Sequence, residues 1–350
     1  MKKYLRYAAF ALAVAFLVLT VTNASWMAAE PKGAVKLVAH RGLAQIVPRD
    51  GVAEEDCTAS QIEEPYHPYL ENTVEGAVRA FKLGTQMVEV DIAPTADGEI
   101  VLFGDRALDC RTDGTGPVSE KTLEELKALD IGYGYTADGG ETFPFRGMGV
   151  GKLPEIGELL SKLKHRERLM FNLRSSDPAE ADLLAEKLSK AGRNPVKKRD
   201  AFYGEPQVVA RIREIYPDAW AWSRQEAEQC SRDYILYGWS SYLPQSCRGR
   251  TMIIPLDNQF AFWGWPNRLV SRMEEHGGEI IVTAPYESGQ PLAGITLPEQ
   301  FGEVPASFNG YLWVDDAFAL TPALYPSRDT RNQEEIDAAW EAMKRRRAAQ

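Results

Sequence analysis

The residues of this chain that are best suited to chemistry begin with a histidine and an arginine at the end of an apolar run. His40 and Arg41 follow residues 35–39, a mostly apolar segment whose length is typical of a buried strand. Gly42 comes next and allows a sharp turn. Such a strand delivers a proton acceptor and a fixed positive charge to its carboxyl end, which is where barrel enzymes hold their active sites.

Two carboxylates occupy a second predicted strand. Residues 87–92 alternate, so that Glu89 and Asp91 share one face while apolar residues take the other. Because neighbouring carboxylates repel each other, a hard divalent cation bound through oxygen, Mg²⁺ or Ca²⁺, would stabilise their joint ionisation. Such an ion neutralises one phosphate oxygen and Arg41 pairs with another. The predicted chemistry is therefore metal-dependent cleavage of a phosphodiester.

Each signal alone has a simpler explanation. A histidine at a strand end is more commonly a hydrogen-bonded structural residue, and a Glu-x-Asp pair more commonly lies on a solvated strand face. The occurrence of both signals in this order favours the catalytic interpretation.

The order of the motifs resembles the glycerophosphodiester phosphodiesterase family, whose pattern is His-Arg, then Glu-x-Asp, then His-Asp. Four further segments match the family: Glu71-Asn72-Thr73, Asp97-Gly98, residues 108–116 and residues 122–126. The resemblance is strong over about residues 36–175. It implies an α/β fold, a TIM-type (β/α)8 barrel with an active-site insert after the first strand.

The resemblance also implies roles for individual residues. His40 would be one of two acid/base histidines, and Arg41 would hold the phosphate beside it. Glu89 and Asp91 would be metal ligands. The family's third carboxylate ligand falls at Asn172, whose carbonyl oxygen binds a hard cation less tightly than a carboxylate does.

Three more residues would contact the substrate or orient the residues that do. Glu71 would line the same pocket and orient either Arg41 or the substrate. Asp105 would orient its neighbours. Arg174 stands where the family has a lysine and would contact the phosphate in its place.

Gly104 departs from the family pattern, because it stands where the second acid/base histidine belongs. A positioned proton donor contributes about 10²–10⁴-fold in rate, or about 3–5 kcal/mol of the barrier. We therefore expect impaired hydrolysis of a glycerophosphodiester, and Gly104→His is expected to raise turnover by at least about tenfold. The alternatives are a noncatalytic relative that binds phosphate or a lipid headgroup at the membrane, and a lysophospholipase D-like or cyclising phosphodiesterase that acts on a lysophospholipid.

Three other histidines are candidates for the missing proton donor. His67 lies in the insert, four residues before Glu71, and either folds over the pocket or faces solvent in a loop. His165 and His276 lie in polar segments and are predicted to be surface residues.

Composition limits the class of protein. With 350 residues, of which 44% are hydrophobic, the chain can bury the core of one large barrel, which we place at residues 32–330. Forty basic and fifty acidic residues give a net charge of −10, so nucleic acid is not an expected partner. Residues 331–350 form a charged helix or tail, either solvated or docked on the barrel.

The first 31 residues resemble a signal for export. Lys2, Lys3 and Arg6 precede a long uncharged stretch, residues 7–29, which has the positive start and apolar centre of a secretion signal and is long enough to span a bilayer. Small residues around Ala24 offer a cleavage site. The segment is therefore a cleaved signal peptide or a retained single-pass membrane anchor, and the barrel is expected outside the cytoplasm, in the periplasm or on the extracytoplasmic face.

The four cysteines fit an oxidising compartment, because they are even in number. We expect one disulfide between Cys57 and Cys110, which would pin the insert to the rim of the pocket, and a second between Cys230 and Cys247. Four free buried thiols are the alternative, and no spacing among the cysteines suggests a zinc site.

Strand and helix signals alternate along the chain, as a barrel requires. Eight segments are predicted to be extended: residues 35–39, 87–92, 100–103, 169–173, 219–222, 252–255, 280–283 and 311–314.

Overall fold

The computed structural model describes residues 2–48, 56–287 and 290–349. Part of the insert predicted after the first strand, residues 49–55, lies outside the described residues. So do residues 1 and 350, at the ends of the two predicted terminal segments, and residues 288–289.

Within this part of the chain, nine strands form one sheet. They are β1 (Lys36–Ala39), β2 (Met87–Pro94), β3 (Ile100–Leu102), β4 (Arg168–Leu173), β5 (Ala201–Gly204), β6 (Trp220–Trp222), β7 (Thr251–Pro255), β8 (Glu279–Thr283) and β9 (Tyr311–Val314). Eight of them lie in the order β6-β5-β4-β2-β1-β9-β8-β7, and neighbours in that order are parallel. This nearly closed parallel sheet confirms the predicted TIM-type barrel.

The sheet has one seam, between β6 and β7. There the Trp220 indole N–H donates a hydrogen bond to the Thr251 hydroxyl at 2.9 Å. Strand β3 lies outside the barrel order and pairs antiparallel with the carboxyl end of β2.

Among the described residues, twelve α-helices accompany the strands. They are α1 (Lys2–Asn23), α2 (Val74–Leu83), α3 (Leu123–Lys127), α4 (Ile156–Lys162), α5 (Ala179–Lys190), α6 (Pro195–Lys198), α7 (Pro206–Ile215), α8 (Arg224–Tyr237), α9 (Asn267–Glu275), α10 (Glu299–Glu303), α11 (Ala317–Leu324) and α12 (Gln333–Ala349). Helix α1 is long and apolar enough to cross a membrane and is not buried by the rest of the protein.

Alternation along β2 distributes its side chains between two cores. Val88 and Val90 pack in the large cluster between the barrel and its helices, whereas Met87 packs with residues from other strands in a second cluster. Glu89 and Asp91 share the face of Met87 because the period of a strand is two. Both carboxylates therefore point into the barrel, near the carboxyl end of the strand.

The two predicted disulfides are confirmed. Cys57 and Cys110 are bonded with their Cα atoms 5.3 Å apart, and Cys230 and Cys247 with theirs 4.8 Å apart. The alternative of four free thiols is wrong. The first bridge ties the insert to the loop that follows β3, and the second ties α8 to the turn before β7.

The C-terminal helix α12 docks on the barrel, as one of the two alternatives for this segment predicted. Ala339 and Ala342 are buried. Arg346, in the last turn, is also buried and forms ion pairs with Asp316 and with Glu63 of the insert. The helix thus joins the loop after β9 to the insert after β1.

Candidate active site

A pocket of about 400 Å³ opens at the carboxyl ends of the barrel strands. His40 and Arg41 reach it from β1, Asn172 and Arg174 from β4, and Asp315 from β9. These residues are far apart in the sequence, and the parallel barrel brings them together because all its strands end on the same side.

His40 is held by a carboxylate. Its Nδ1 lies 2.7 Å from Oδ1 of Asp315, and the second oxygen of Asp315 accepts the backbone N–H of Gly294 at 2.9 Å. The hydrogen bond assigns the proton to Nδ1, which leaves Nε2 as the basic nitrogen. The Trp313 ring packs against the imidazole, with ring centroids 5.1 Å apart.

Asp91 is the most heavily bonded acid of the site. It is fully buried and accepts amide hydrogens from Asn72 at 2.9 Å and Asn172 at 2.7 Å, while Nε of Arg41 lies 2.8 Å from the carboxylate. Burial alone would raise the pKa of Asp91, but the charges of Arg41 and Arg174 outweigh it and hold the pKa below its usual value. Asp91 is therefore ionised.

Glu89 has the opposite environment. One oxygen accepts the backbone N–H of Arg41 at 2.9 Å, whereas Oε1 is buried and has no hydrogen-bond partner among the residues that the structure describes. Burial, and then the charge of Asp91, raises the pKa of Glu89. A buried carboxylate oxygen without a donor is a position that a cation would satisfy.

The donor set fits a divalent cation. Glu89 offers the unpartnered oxygen, Asp91 an ionised carboxylate, and Asn172 an amide oxygen, since its N–H₂ group is turned to Asp91. Within the described residues no three His, Cys, Asp or Glu side chains form a metal-binding group. A cation here would therefore use two carboxylates, one amide oxygen and water.

One further arginine, Arg111, and two acids, Glu71 and Asp105, complete the charged cluster around Arg41. Glu71 lies 2.9 Å from Arg41 and 3.3 Å from Arg111, and Arg111 also lies 3.0 Å from Asp105. Burial alone would raise the pKa of Glu71, but Arg111 and Arg41 bring it below its usual value. Glu71 is thus in direct contact with Arg41, and its role in orienting that guanidinium stays a prediction.

Arg174 has free donors. Its Nε donates to the backbone carbonyl of Gly104 at 3.0 Å, and no described residue accepts a hydrogen bond from its two terminal nitrogens. The side chain lines the pocket. It is therefore suited to bind an oxyanion.

Two residues of the site have left-handed backbone conformations that side chains other than glycine rarely adopt. Arg41 has φ of 58° and Asn72 has φ of 53°, and the Asn72 backbone N–H donates to the Arg41 carbonyl at 3.0 Å. Strain of this kind tends to persist at functional sites, where the surroundings enforce it.

The structure argues against the expectation that Gly104→His restores activity. A Cβ atom at position 104 would lie 2.5 Å from Oδ2 of Asp91 and 3.4 Å from the Asn72 amide nitrogen. Any side chain there displaces Asp91. The absence of a side chain at Gly104 is therefore part of the packing of this site.

His67 matches neither alternative offered for it. The residue is buried, packs its ring 5.0 Å from that of Phe318, and is bonded to Gln45. It does not line the pocket. Burial lowers the pKa of His67 to about 4, so the ring is a neutral core residue. His165 and His276 are exposed, as predicted.

Several pocket residues were not predicted from the sequence. Asp315 had a usable signal, because it directly follows the predicted strand 311–314 as His40 follows the first. Tyr203, Arg224 and Glu228 form part of the opposite wall and had no such signal, because β5 and α8 were not predicted.

Comparison with known proteins supports the same family. A model of the glycerophosphoryl diester phosphodiesterase family matches residues 40–224. The glycerophosphodiester phosphodiesterase of Caldanaerobacter subterraneus subsp. tengcongensis is 39% identical over 90 residues, which cover 26% of this chain and 35% of that protein. The Bacillus subtilis protein YhdW, a putative glycerophosphodiester phosphodiesterase, is 29% identical over 152 residues, 42% of this chain and 57% of its own. The chain thus spans about one third to three fifths of the length of these curated relatives.

Solved structures share the fold at low sequence identity. The glycerophosphoryl diester phosphodiesterase domain of Rv2277c from Mycobacterium tuberculosis superposes with a TM-score of 0.59 at 17% identity, covering 84% of this chain and 99% of that domain. A phosphodiesterase of Oleispira antarctica, solved with its product sn-glycerol-3-phosphate, gives a TM-score of 0.51 at 16% identity, covering 88% of this chain and 97% of its own.

Proposed function

The chain belongs to the glycerophosphoryl diester phosphodiesterase family, and we propose that it hydrolyses glycerophosphodiesters to glycerol phosphate and an alcohol. The observation that carries the proposal is the pairing of His40 with Asp315 in the same pocket as Arg41 and Arg174. A basic nitrogen and two guanidinium groups around one cavity are what cleavage of an anionic diester requires.

His40 handles the proton. Nε2 accepts a proton from the attacking water as the new bond to phosphorus forms, and the bond from phosphorus to the alcohol oxygen breaks. Because the alcohol oxygen leaves on the side opposite the attacking water, it takes its proton from solvent and the imidazolium gives its own proton back to solvent, so that water and diester become glycerol phosphate and free alcohol. Asp315 keeps the ring in the tautomer that permits this cycle. A hydroxyl of the substrate in place of water would give the cyclic phosphate instead.

The arginines hold the phosphoryl oxygens. Arg174 offers its two terminal nitrogens, and Arg41 is oriented by Glu71 at a terminal nitrogen and by Asp91 at Nε. Charge-assisted hydrogen bonds of this type are stronger than neutral ones and match the geometry of phosphate.

We infer that the cofactor is Mg²⁺ or Ca²⁺, held by Glu89, Asp91 and Asn172. Divalent-metal dependence is general in this family, and the unpartnered oxygen of Glu89 supports a cation here. The ion would supply positive charge against the phosphoryl oxygens. Isothermal calorimetry with Ca²⁺ and Mg²⁺ tests this, with Glu89→Gln as the variant and the exposed Glu186→Gln as its control. We expect heat of binding from the native protein and from the control, and none from Glu89→Gln. Equal heats from all three proteins would contradict a cation site at Glu89.

The proposed site of action is outside the cytoplasm. Both cysteine pairs are disulfide-bonded, and structural disulfides persist in oxidising compartments. Substrates would therefore be exported or extracellular glycerophosphodiesters, or lysophospholipids.

A ³¹P nuclear magnetic resonance assay of glycerophosphocholine hydrolysis tests the proposed activity. The native protein, His40→Ala and the exposed control His276→Ala are compared with Mg²⁺ or Ca²⁺ present. We expect the control to match the native protein and His40→Ala to be at least about 10²-fold slower. Turnover that survives His40→Ala would refute the assignment of the base.

A second function, binding without turnover, is favoured by one observation. Asp91 leaves no space for a side chain at Gly104, the position at which the family resemblance implies a second histidine, while the arginines remain. Calorimetry with sn-glycerol 3-phosphate distinguishes the two functions: saturable binding without any hydrolysis in the assay above would support the binding protein.

A further inference from the structure

The end of helix α1 is built into the barrel. Asn23 is only 8% exposed. Its side-chain N–H₂ donates to the backbone carbonyl of Trp239 at 2.7 Å, and its Oδ1 accepts hydrogen bonds from both terminal nitrogens of Arg272 at 3.1 Å. Two residues further on, the Ser25 hydroxyl accepts the backbone N–H of Asn267 at 3.0 Å.

Arg272 depends on this contact. It lies on α9 and is 8% exposed. Besides Asn23, its guanidinium donates to the Thr22 carbonyl at 3.2 Å and to the Tyr234 hydroxyl at 2.7 Å. Cleavage after Ala24 would remove the Asn23 and Thr22 acceptors and leave the guanidinium with the Tyr234 hydroxyl and, at 3.5 Å, the Gly238 carbonyl, a loss of charge-assisted hydrogen bonds that destabilises the fold.

Exposed aromatic side chains surround the same point. We define the aromatic collar by its five members, all of which are exposed: Trp26, Tyr237, Trp239, Tyr242 and Trp263. The collar is continuous with the end of α1. Trp26 lies three residues after Asn23 in the chain, and the backbone carbonyl of Trp239 accepts the hydrogen bond from the Asn23 side chain. The indole N–H of Trp263 donates to the carbonyl of Ile235 on α8. Tryptophan and tyrosine are enriched at the level of lipid headgroups, where one side of the ring is apolar and the other is wet.

We propose that α1 is retained as a membrane anchor and that the aromatic collar rests on the bilayer surface. The candidate span Lys3–Asn23 has 21 residues, and its apolar window is not covered by the rest of the protein, so that it needs lipid around it. Its end is locked to the barrel through Asn23 and Arg272. The barrel therefore has a fixed orientation at the membrane. Lys3 and Arg6 at the far end of α1 place that end in the cytoplasm.

The orientation determines which substrates reach the pocket, a consequence that rests on the proposed function. Helix α8 begins at the pocket, which Arg224 and Glu228 line, and ends at Tyr237 in the collar. Thirteen steps of an α-helix span about 20 Å. The pocket therefore opens away from the bilayer and takes water-soluble phosphodiesters rather than lipids embedded in the membrane.

The collar is tested by fluorescence quenching, which needs no activity. The full chain is reconstituted in vesicles of phosphatidylethanolamine and phosphatidylglycerol with or without brominated acyl chains. Because α1 contains no tryptophan, quenching reports on the barrel. We expect the brominated lipid to quench the native protein and the control Trp340→Phe, whose indole is exposed on α12, and not the triple variant W26F/W239F/W263F. Equal quenching of the triple variant would overturn the collar.

Retention of α1 is tested by intact mass and by melting. The protein recovered from the membrane fraction of an exporting host is expected to have the mass of a chain that includes Asn23, and a soluble product that begins at Ser25 would overturn retention. We expect Asn23→Ala to lower Tm by about 2 °C or more. The control Thr20→Ala, on an exposed part of α1, should leave Tm unchanged, and equal Tm values for the two variants would contradict the lock.

Substrate access is tested in the same vesicles. We expect dissolved glycerophosphocholine to be hydrolysed at least tenfold faster than lysophosphatidylcholine embedded in the bilayer. Equal rates would overturn the orientation of the pocket. No hydrolysis of either substrate would refute the proposed function, while the quenching result would still decide whether the collar contacts lipid.

Discussion

Asp315 fixes the nitrogen of His40 that faces the pocket. Replacing its carboxylate by an amide removes the charge and allows the amide N–H₂ to face Nδ1, which favours the wrong tautomer. We expect Asp315→Asn to lower kcat by at least about tenfold with little change in KM, measured on glycerophosphocholine. Asp257→Asn, an exposed control on the turn after β7, should behave as the native protein, and a kcat unchanged by Asp315→Asn would contradict the pairing.

For Gly104→His, the structure predicts a loss of turnover, whereas the sequence alone predicted a gain. Because a Cβ atom there would press on Asp91, Gly104→Ala and Gly104→His are expected to lower both Tm and turnover, the second variant more than the first. Gly302→Ala is the control, since nothing lies within 4 Å of its added Cβ. A gain in turnover for Gly104→His would mean that Asp91 moves aside without loss.

The residues of the site could be predicted to different degrees. Four residues could be predicted from the sequence. His40 and Arg41 directly follow an apolar strand, and Glu89 and Asp91 alternate with the apolar residues of another strand. Other features of the site could not be predicted, because they depend on contacts between segments that are distant in sequence. These are the hydrogen bonds of Asp91 with amide groups and the lack of space for a side chain at Gly104. His67 shows the reverse case, in which a histidine in a polar insert is buried by α11.

At the scale of elements, helix α5 carries a buried acid near its first turn. Glu180 is 3% exposed, and one of its oxygens has no partner among the described residues. Burial raises the pKa of Glu180 to about 8. The folded protein therefore holds this proton more tightly than the unfolded chain does, and stability falls as pH rises from about 4.5 towards 8.

Glu180→Gln should remove this dependence. We expect the variant to gain stability relative to the native protein as pH rises from 5 to about 9, measured by urea unfolding at several pH values. Glu186→Gln, exposed on the same helix, should follow the native curve. Parallel curves for Glu180→Gln and the native protein would contradict the raised pKa.

Helix α12 is expected to stabilise the loop after β9 through Arg346. Removing this guanidinium leaves Asp316 buried and without its main partner, a loss of about 3 kcal/mol. We expect Arg346→Met to lower the free energy of unfolding by about that amount, and Arg347→Met, which breaks a more exposed pair with Glu299, by less than about 1 kcal/mol. Equal losses would show that the docking of α12 does not depend on the buried pair.

The order of the barrel strands was largely predictable, and the elements that the sequence did not indicate, β5 and α8 among them, have physical reasons for their weak signals. Seven of the eight barrel strands coincide with predicted segments, because parallel strands are continuous apolar runs. Strand β5 is too short for a pattern and has alanine and glycine at its ends. Helix α8 has many polar residues and few apolar ones, so its amphipathic signal is weak, and the disulfide and the contacts with β7 stabilise it instead.

At the scale of the whole molecule, the two ends of the barrel differ in character. One end holds the charged pocket, and the other holds the aromatic collar at the base of α1. The disulfide between Cys57 and Cys110 ties the insert to the rim of the pocket, and α12 docks beside it. In the arrangement proposed above, the catalytic end of the barrel would face water.

The central claim is that His40 is the only imidazole that transfers protons in this pocket. The most direct test compares kcat/KM for glycerophosphocholine with that for a glycerol nitrophenyl phosphodiester, whose leaving group needs no proton. With a single proton carrier, we expect the nitrophenyl ester to be cleaved at least about 10²-fold faster, and His40→Ala to slow both reactions. Equal rates for the two esters in the native protein would show that a second proton donor is present and would contradict the claim.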